Sequence, residues 1–262
     1  MEATQTAQPA TVALFISDLH LQAAMPRTAA AFFNFLRRQA MHARQLYLLG
    51  DIFEYWAGDD DCDDAFNRSV IDALRAVADS GVELFWVAGN RDFLVSSAFA
   101  AAAGLRLLDD PHVIDIAGRR IVLTHGDALC TDDTAYMAFR AQVRDPAWQS
   151  AFLARPLAER KAIIAGLRQG SRDAQREKAE YIMDVNADAV EALYRATDTI
   201  LMIHGHTHRP AHHVVARAGV DYERYVLPDW DCETEGTHRG GWLAVNSDGS
   251  ICRHRADGTV IK

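Results

Sequence analysis

The sequence predicts an α/β protein with two β-sheets packed face to face, helices outside them, and a helical cap inserted between two strands. Apolar runs of strand type alternate with helical patterns through the first half of the chain. A stretch of about sixty residues without a strand signal, from about 131 to 193, is too long for an ordinary connection and predicts the cap. Short β-rich runs with Asp-Gly turns follow residue 208. We expect a flexible lead-in over residues 1–10 and one domain over 11–262 that carries the insertion.

The first half contains three strand–helix repeats, which predict a largely parallel sheet with crossover helices. Thr28 is the expected N-cap of the first helix, and Gly81 and Gly104 are expected to end the second and third. The predicted elements are, in order, strand Val12–Ile16, helix Thr28–Met41, strand Leu46–Leu49, helix Ala65–Asp79, strand Leu84–Val87 and helix Ser96–Ala103.

The second half departs from that alternation. Two further strands, Ile121–Leu123 and Ile200–Ile203, flank the insertion. Helical patterns predict that the cap contains Ala135–Val143, Trp148–Leu153, Pro156–Gln169 and Asp173–Met183. The last β-rich runs predict a second sheet packed on the first, formed by His212–Ala216, Tyr222–Leu227, Trp242–Val245 and Ser250–Arg255.

Composition argues against several classes of protein. A formal net charge of -9 argues against a general nucleic-acid binder and against adhesion to anionic lipid through total charge alone. The four cysteines, Cys62, Cys130, Cys232 and Cys252, are widely spaced and form no CxxC pair, so reduced cytosolic thiols are expected. The first ten residues lack the basic and apolar regions of a secretory signal, and no apolar stretch approaches the ~20 residues of a spanning helix. We expect a soluble or peripheral protein.

Five of the predicted strands, those up to residue 203, end in a short polar motif. Imidazole, carboxylate and amide groups without thiolate favour Mn, Fe, Co, Ni or Zn. Because a two-metal hydrolytic centre needs many ligands from separate strands, we expect the motifs to converge along one edge of one sheet. The motifs are Asp18-Leu19-His20, Gly50-Asp51, Gly89-Asn90-Arg91-Asp92, His125-Gly126-Asp127 and His204-Gly205-His206-Thr207-His208.

Each motif taken alone also has a structural interpretation. A single D-x-H or G-D pair is more often a turn or a surface group, and for Asp51 or Asn90 alone a turn is favoured. For His206 and His208 the two interpretations are evenly balanced. Their joint occurrence at five strand ends favours the metal centre, because independent accidents would have to coincide.

The motifs D-x-H, G-D, G-N-R-D, H-G-D and G-H-T-H, in this order, resemble those of the calcineurin-like metallophosphoesterase superfamily. The resemblance implies a four-layer αββα sandwich with the helical cap inserted into it. It also implies two metal sites that share one carboxylate, with His204 outside both. One site would be formed by Asp18, His20, Asp51 and His208, and the other by Asp51, Asn90, His125 and His206.

The segments around these motifs, among them GDIFEYWAGDDD, THGDALCTDDTAYMAFR and EYIMDVN, are similar to the UDP-2,3-diacylglucosamine hydrolase family from about residue 12 to the end. That resemblance implies hydrolysis of the pyrophosphate of UDP-2,3-diacylglucosamine to UMP and 2,3-diacylglucosamine 1-phosphate (lipid X) in lipid A biosynthesis. Water activated by two metal ions would attack the α-phosphorus. It implies manganese as the metal and a peripheral place on the cytoplasmic side of the inner membrane.

The same resemblance implies roles for individual residues. Asp51, Asn90, Arg91 and His125 would be catalytic, and Gln175 stands where the family often has another amide. Substrate would be contacted by Asn90, Arg91, Asp133, Ser171, Gln175, Lys178 and His206.

The predicted cap combines apolar and basic residues. Between Arg155 and Lys178 it carries seven basic and three acidic residues, a local surplus of +4 that could attract a diphosphate, although most of these charges are expected on a solvated helix face. Its apolar residues suggest an acyl-chain pocket, with packing inside the cap as the alternative. The acidic loop Gly58–Asp64 is interpreted as structural and solvent-facing rather than as a further metal site.

Two other functions remain open from the residues. One is a metallophosphoesterase that acts on soluble nucleotides, phosphoproteins or phosphodiesters, which leaves the long cap unexplained. The other is a catalytically silent binding module, which has no evident need for seven intact ligands.

Overall fold

The computed structural model describes residues 9–177, 184–234 and 238–261, with the backbone alone for 169–177. The strands are, in chain order, β1 (Thr11–Ile16), β2 (Gln45–Leu48), β3 (Glu83–Val87), β4 (Leu105–Leu108), β5 (His112–Ile116), β6 (Arg119–Leu123), β7 (Leu201–His204), β8 (Ala211–Arg217), β9 (Val220–Val226), β10 (Gly241–Asn246), β11 (Ile251–Arg255) and β12 (Val260–Ile261). The α-helices are α1 (Pro26–Arg38), α2 (Ala65–Asp79), α3 (Ser97–Ala103), α4 (Thr134–Val143), α5 (Pro146–Leu153), α6 (Leu157–Glu177) and α7 (Ala187–Thr197).

These strands form two sheets. The first has the order β12-β11-β10-β1-β2-β3-β4 and is parallel from β1 to β4. The second has the order β5-β6-β7-β9-β8, with parallel pairing of β7 to both β6 and β9. The parallel pairing from β1 to β4 agrees with the strand–helix alternation in the sequence, because crossover helices join parallel strands.

The period-two alternation of β1 shows how the layers form. Leu14 and Ile16 pack with helices α1 and α2 on the outer face of the first sheet. Ala13 and Phe15 point the other way and pack against residues of the second sheet such as Ile203. On the outer face of the second sheet, Met202 packs with helix α7. The predicted four-layer αββα sandwich is therefore confirmed.

Two expectations about the sheets are wrong. The five motif-bearing strands do not share one sheet, because β1, β2 and β3 lie in the first and β6 and β7 in the second. The predicted runs Trp242–Val245 and Ser250–Arg255 do not join the second sheet, because β10 pairs antiparallel with β1 and extends the first. Strand periodicity predicts that a strand exists but not which strand pairs with it.

Several helix predictions also need correction. Helix α1 begins at Pro26, a residue suited to the first helical position, so Thr28 lies inside it. The predicted helices Pro156–Gln169 and Asp173–Met183 are one helix, α6, as far as Glu177, and 178–183 lie outside the described residues. Helix α7 and strands β4 and β5 were not predicted. The division into a lead-in and a domain with its insertion stays a prediction.

The cap helices lie at the end of the sandwich that carries the motifs. Trp148 of α5 and Ile164 of α6 pack against the core between the first sheet and its helices. None of the helices in the described ranges combines the length and apolarity that crossing a bilayer requires.

Candidate metal centre

The predicted ligands lie at strand ends where the backbone adopts an unusual conformation. Asp18, His20, Asp51, His206 and His208 all have φ between 50° and 69°. They are five of the eight non-glycine residues with positive φ in the described part of the chain. Such conformations cost free energy and concentrate at functional sites, so the local backbone supports a functional interpretation of these loops.

One group of ligands surrounds the buried side chain of Asp18. Its Oδ2 accepts hydrogen bonds from the Ser17 hydroxyl (2.5 Å) and from the His206 backbone N–H (2.9 Å). Its Oδ1 lies 3.4 Å from His208 Nε2, and that nitrogen lies 3.2 Å from His20 Nε2. A carboxylate oxygen and two imidazole nitrogens therefore converge on one point, the donor set that a borderline divalent metal takes.

A second group converges on the side chain of Asn90. Its Oδ1 lies 2.9 Å from His125 Nε2 and 2.8 Å from His206 Nδ1, and Asp51 Oδ1 lies 3.6 Å from His125 Nε2. His125 Nδ1 donates to the Leu49 carbonyl (2.8 Å), which can only accept. In the neutral ring, Nε2 therefore carries a lone pair and faces the oxygens of Asn90 and Asp51, which also carry lone pairs. A cation bound between these atoms would stabilise the arrangement.

The charges around His125 also fit a cation. Burial lowers the pKa of this imidazole, but the carboxylates of Asp51, Asp18 and Asp127 outweigh burial and raise its pKa to about 9. The site thus carries surplus negative charge in a buried environment, which divalent ions would neutralise.

The structure brings all seven predicted ligands to one end of the sandwich. Asp18, His20 and His208 each offer a donor atom within 4.8 Å of the others, and so do Asp18, Asp51 and His125. Asp18 belongs to both groups, whereas the resemblance implied that Asp51 is shared. The assignment of ligands to individual ions stays a prediction.

His204 lies beside these ligands and takes no part in the centre. Burial is the main cause that lowers its pKa to about 3, with the Arg224 guanidinium acting in the same direction. Its Nδ1 donates to the Gly205 carbonyl (2.8 Å), and its Nε2 accepts from Arg224 (2.9 Å). Both ring nitrogens are engaged, which agrees with leaving His204 out of the ligand set.

Two glycines allow the motif loops to approach each other closely. A Cβ atom at Gly89 would lie 2.2 Å from Asp51 Oδ1, and one at Gly205 would lie 2.2 Å from Asp18 Oδ2. Because real Cβ atoms do not tolerate such contacts, any side chain here would displace a predicted ligand.

Three carboxylates that support the predicted ligands were missed from the sequence. Glu54 Oε2 lies 3.0 Å from His20 Nδ1, and Asp229 Oδ2 lies 3.7 Å from His208 Nδ1. Asp92 is buried and accepts from the backbone N–H groups of Gly89 (2.9 Å) and Ile52 (2.8 Å). Burial and the nearby charge of Asp51 raise the pKa of Asp92 to about 6. Asp92 stands in the G-N-R-D motif, which could have singled it out, whereas Glu54 and Asp229 carry no such signal.

Asp127, the last residue of the H-G-D motif, attaches the cap to the sandwich. Its buried Oδ2 accepts from the Tyr136 hydroxyl (2.7 Å) and from Arg140 Nε (2.8 Å), both on α4. Arg144, directly after α4, donates from Nη2 to the carbonyls of Ala88 (3.2 Å) and Gly89 (2.9 Å). The cap is therefore bonded to two of the motif loops.

One pocket of about 650 Å³ joins the ligands to the cap. Among the predicted substrate contacts, Asn90, Arg91, Asp133 and His206 line it. Asp133 also caps α4 by accepting from the Tyr136 N–H (3.0 Å). The side chains of Ser171 and Gln175, and all of Lys178, lie outside the described residues. The pocket's cap wall consists of Ala135, Tyr136, Phe139, Val143, Trp148, Phe152, Ile164, Leu167 and Arg168.

The acidic loop has the structural role that its composition predicted. Asp59 accepts from the N–H groups of Ser96 (3.1 Å) and Phe99 (2.8 Å) at the start of α3. Asp61 is buried rather than solvent-facing, because Lys161 of α6 lies 2.6 Å from it. Arg160 of α6 pairs with the neighbouring Asp60. This loop therefore binds two basic residues of the cap, Arg160 and Lys161.

Comparisons with known proteins show the family to which the chain belongs. A family model described as calcineurin-like phosphoesterase matches residues 12–210. The chain is 57% identical over 218 residues to the UDP-2,3-diacylglucosamine hydrolase of Aromatoleum aromaticum, covering 83% of this chain and 89% of that protein. It is 48% identical over 242 residues to the protein of the same name from Cellvibrio japonicus, covering 92% and 98%. Among solved structures, Vps29 from Entamoeba histolytica complexed with Zn²⁺ matches 95% of each chain with a TM-score of 0.47 and 15% identity. The family match and the two identities show that the chain belongs to the calcineurin-like phosphoesterases and, within them, to the UDP-2,3-diacylglucosamine hydrolase family.

Proposed function

We propose that this protein hydrolyses the pyrophosphate bond of UDP-2,3-diacylglucosamine, giving UMP and 2,3-diacylglucosamine 1-phosphate in lipid A biosynthesis. The observation that carries the proposal is the single pocket in which metal-type ligands and an apolar cap wall face each other. This substrate has a diphosphate between uridine and the sugar and acyl chains on the sugar, so it matches both halves of that pocket. The names of the two relatives support the same substrate.

The apolar half of the pocket is suited to acyl chains. Trp148 stacks on Phe152 with ring centroids 5.0 Å apart, and both line the pocket. Phe139 and Leu167 also line it while leaving 39% and 46% of their surface exposed. Exposed apolar side chains around a pocket mark a ligand site, and each buried methylene of a ligand contributes about 0.8 kcal/mol.

The seven converging ligands would hold two divalent metal ions, for which we propose manganese. Bound there, the ions supply Lewis acidity to the diphosphate and lower the pKa of water. Asp18, His20 and His208 form one half of the cradle, and Asn90, His125 and His206 form the other half. Asp51 lies beside His125 and is our choice for the shared ligand.

The reaction we propose is attack of water on the α-phosphorus, next to uridine. The phosphorus–oxygen bond to the sugar phosphate breaks, UMP keeps the oxygen of the water, and the lipid leaves as its 1-phosphate. The second pKa of a phosphate monoester is about 6, so this leaving group needs no strong general acid. Arg91 is held at the site because its N–H donates to Asp51 Oδ1 (2.8 Å), and its guanidinium can pair with phosphate oxygens.

The remaining substrate contacts follow from the family resemblance. Asp133 would contact the glucosamine portion and His206 the phosphates, while Ser171, Gln175 and Lys178 of the insertion would complete the site. We also propose a peripheral place on the cytoplasmic side of the inner membrane, where the lipid substrate resides. Leu153, which leaves 39% of its surface exposed on α5, lies on the cap and could contact that surface.

Purified protein with Mn²⁺ and UDP-2,3-diacylglucosamine, scored for UMP by mass spectrometry, tests the proposal. We expect UMP and 2,3-diacylglucosamine 1-phosphate in equal amounts from the wild type, and none from Asp51→Ala. Hydrolysis of soluble nucleotides or diesters without UMP release would refute the substrate in favour of a general phosphoesterase. Absence of bound metal and of any turnover would favour a silent binding module.

A further inference from the structure

Arg144 connects the cap to the loop that carries Asn90 and Arg91. Its Nη2 donates to the carbonyls of Ala88 (3.2 Å) and Gly89 (2.9 Å), the two peptide groups that precede Asn90. Its guanidinium carbon lies 5.3 Å from the ring centroid of Phe93, two residues after Arg91. One side chain from the cap thus contacts this loop on both sides of the two residues that would meet the phosphates.

The position of Arg144 is itself fixed by the sandwich. Its Nη2 lies 3.9 Å from Asp127 Oδ2, the oxygen that also accepts from Arg140 and Tyr136 of α4. The side chain of Asp127 is fully buried, and that of Arg144 is 22% exposed. Charge-assisted hydrogen bonds in such surroundings are stronger than neutral ones and hold their acceptors in place.

The loop that Arg144 holds has little freedom to relax. Asp92 accepts the N–H of Gly89, and Asp51 accepts the N–H of Arg91. The carbonyls of Ala88 and Gly89 accept instead from Arg144, a residue of the cap. The segment around Asn90 is therefore held by Asp92 and Asp51 of the sandwich through its N–H groups and by Arg144 of the cap through its carbonyls.

We propose that Arg144 is a positioning residue that couples the seating of the cap to the orientation of Asn90 and Arg91. This inference rests on the proposed function, in which those two residues meet the phosphates. The cap then has two tasks: its apolar wall receives the acyl chains, and Arg144 sets the loop that engages the diphosphate. A loss of Arg144 should slow turnover of any phosphodiester, including one too small to touch the acyl pocket.

The test compares Arg144→Met, which keeps the apolar stem but has no N–H donors, with Arg144→Lys, which keeps a positive charge and N–H donors. Arg155→Met is the matched control, since Arg155 also lies in the cap and forms an exposed pair with Glu159 (2.5 Å). Each variant is assayed on the diacyl lipid substrate and on bis(p-nitrophenyl) phosphate, with Mn²⁺ binding measured by titration without substrate. Thermal melts establish that each variant is folded.

For Arg144→Met we expect kcat to fall by about 10- to 100-fold on both substrates, because displacement of a positioning loop by about 1 Å has that effect. Mn²⁺ affinity should fall at the ion that Asn90 contacts, Arg144→Lys should recover most of both losses, and Arg155→Met should match the wild type. An effect confined to KM for the lipid, or a kcat on the small diester within twofold of the wild type, overturns the coupling. Those outcomes leave the proposed function intact, whereas failure of the wild type to release UMP refutes the substrate and leaves the coupling measurable on the small diester.

Discussion

Replacement of Gly89 by Ala tests whether the close approach of two motif loops sets the metal centre. The added Cβ would lie 2.2 Å from Asp51 Oδ1 and 2.3 Å from the Asp51 backbone nitrogen, and ordinary contact begins at 3.4 Å. The two loops must therefore separate by roughly 1 Å, a displacement that costs about 100-fold in rate at a reacting centre. Since backbone is one of the clashing groups, we also expect a loss of about 1–3 kcal/mol in the free energy of unfolding.

The assay is UMP release with Mn²⁺ in excess, together with the bound metal content and the melting temperature of each variant. Gly166→Ala on α6 is the matched control, because a Cβ there meets no atom within 4 Å. It should remain fully active and gain about 0.5–1 kcal/mol in stability, since alanine is favoured over glycine in a helix. Wild-type turnover and metal content in Gly89→Ala would refute the inference that this contact fixes Asp51.

Three further predictions concern the cap and the metal. Asp127→Asn should lower the free energy of unfolding by about 3 kcal/mol, because it leaves Arg140 without its buried counter-charge. Tyr136→Phe, which removes one hydrogen bond to the same carboxylate, should lower it by about 1 kcal/mol. Equal stability of the two variants in denaturant titrations would contradict this. Trp148→Ala should raise KM for the diacyl substrate more than for bis(p-nitrophenyl) phosphate, and equal effects would refute the acyl pocket. Mn²⁺ at about 100 times its Kd should raise the free energy of unfolding by about 2.7 kcal/mol, as measured by thermal melts, and Asp18→Asn should abolish that gain if Asp18 is a ligand.

The metal centre could be predicted from the sequence because its placement is a local property of each strand. An apolar run that is followed, after one intervening residue, by Asp18, Asp51 or His125 indicates both the strand and the position of the side chain at its end. The structure adds that these ends meet across two sheets. The convergence was correctly predicted for the wrong reason, since it arises from face-to-face packing of the sheets rather than from one shared edge.

Pairing between distant strands could not be predicted in the same way. Strand β10 is buried along its whole length and joins β1 with Thr11 opposite Asn246. Nothing in its apolar run distinguishes that partner from the strands of the second sheet, because such a run indicates a buried strand and not which strand pairs with it. Helix α7 was missed for a different reason, because the predicted end of the cap at about residue 193 falls inside it.

The carboxylates that support the predicted ligands could not be identified from single residues in the sequence. Glu54 is one acidic residue among many, and Asp127 stands in the H-G-D motif but outside the predicted ligand set. Their contacts distinguish them: Glu54 lies against His20 and pairs with Arg168 of α6, while Asp127 binds Tyr136 of α4. Glu54 therefore contacts a predicted ligand on one side and a cap helix on the other, and Asp127 joins the motif that carries His125 to the cap. Because the cap wall also lines the proposed acyl pocket, we expect a change in the cap to alter turnover as well as affinity.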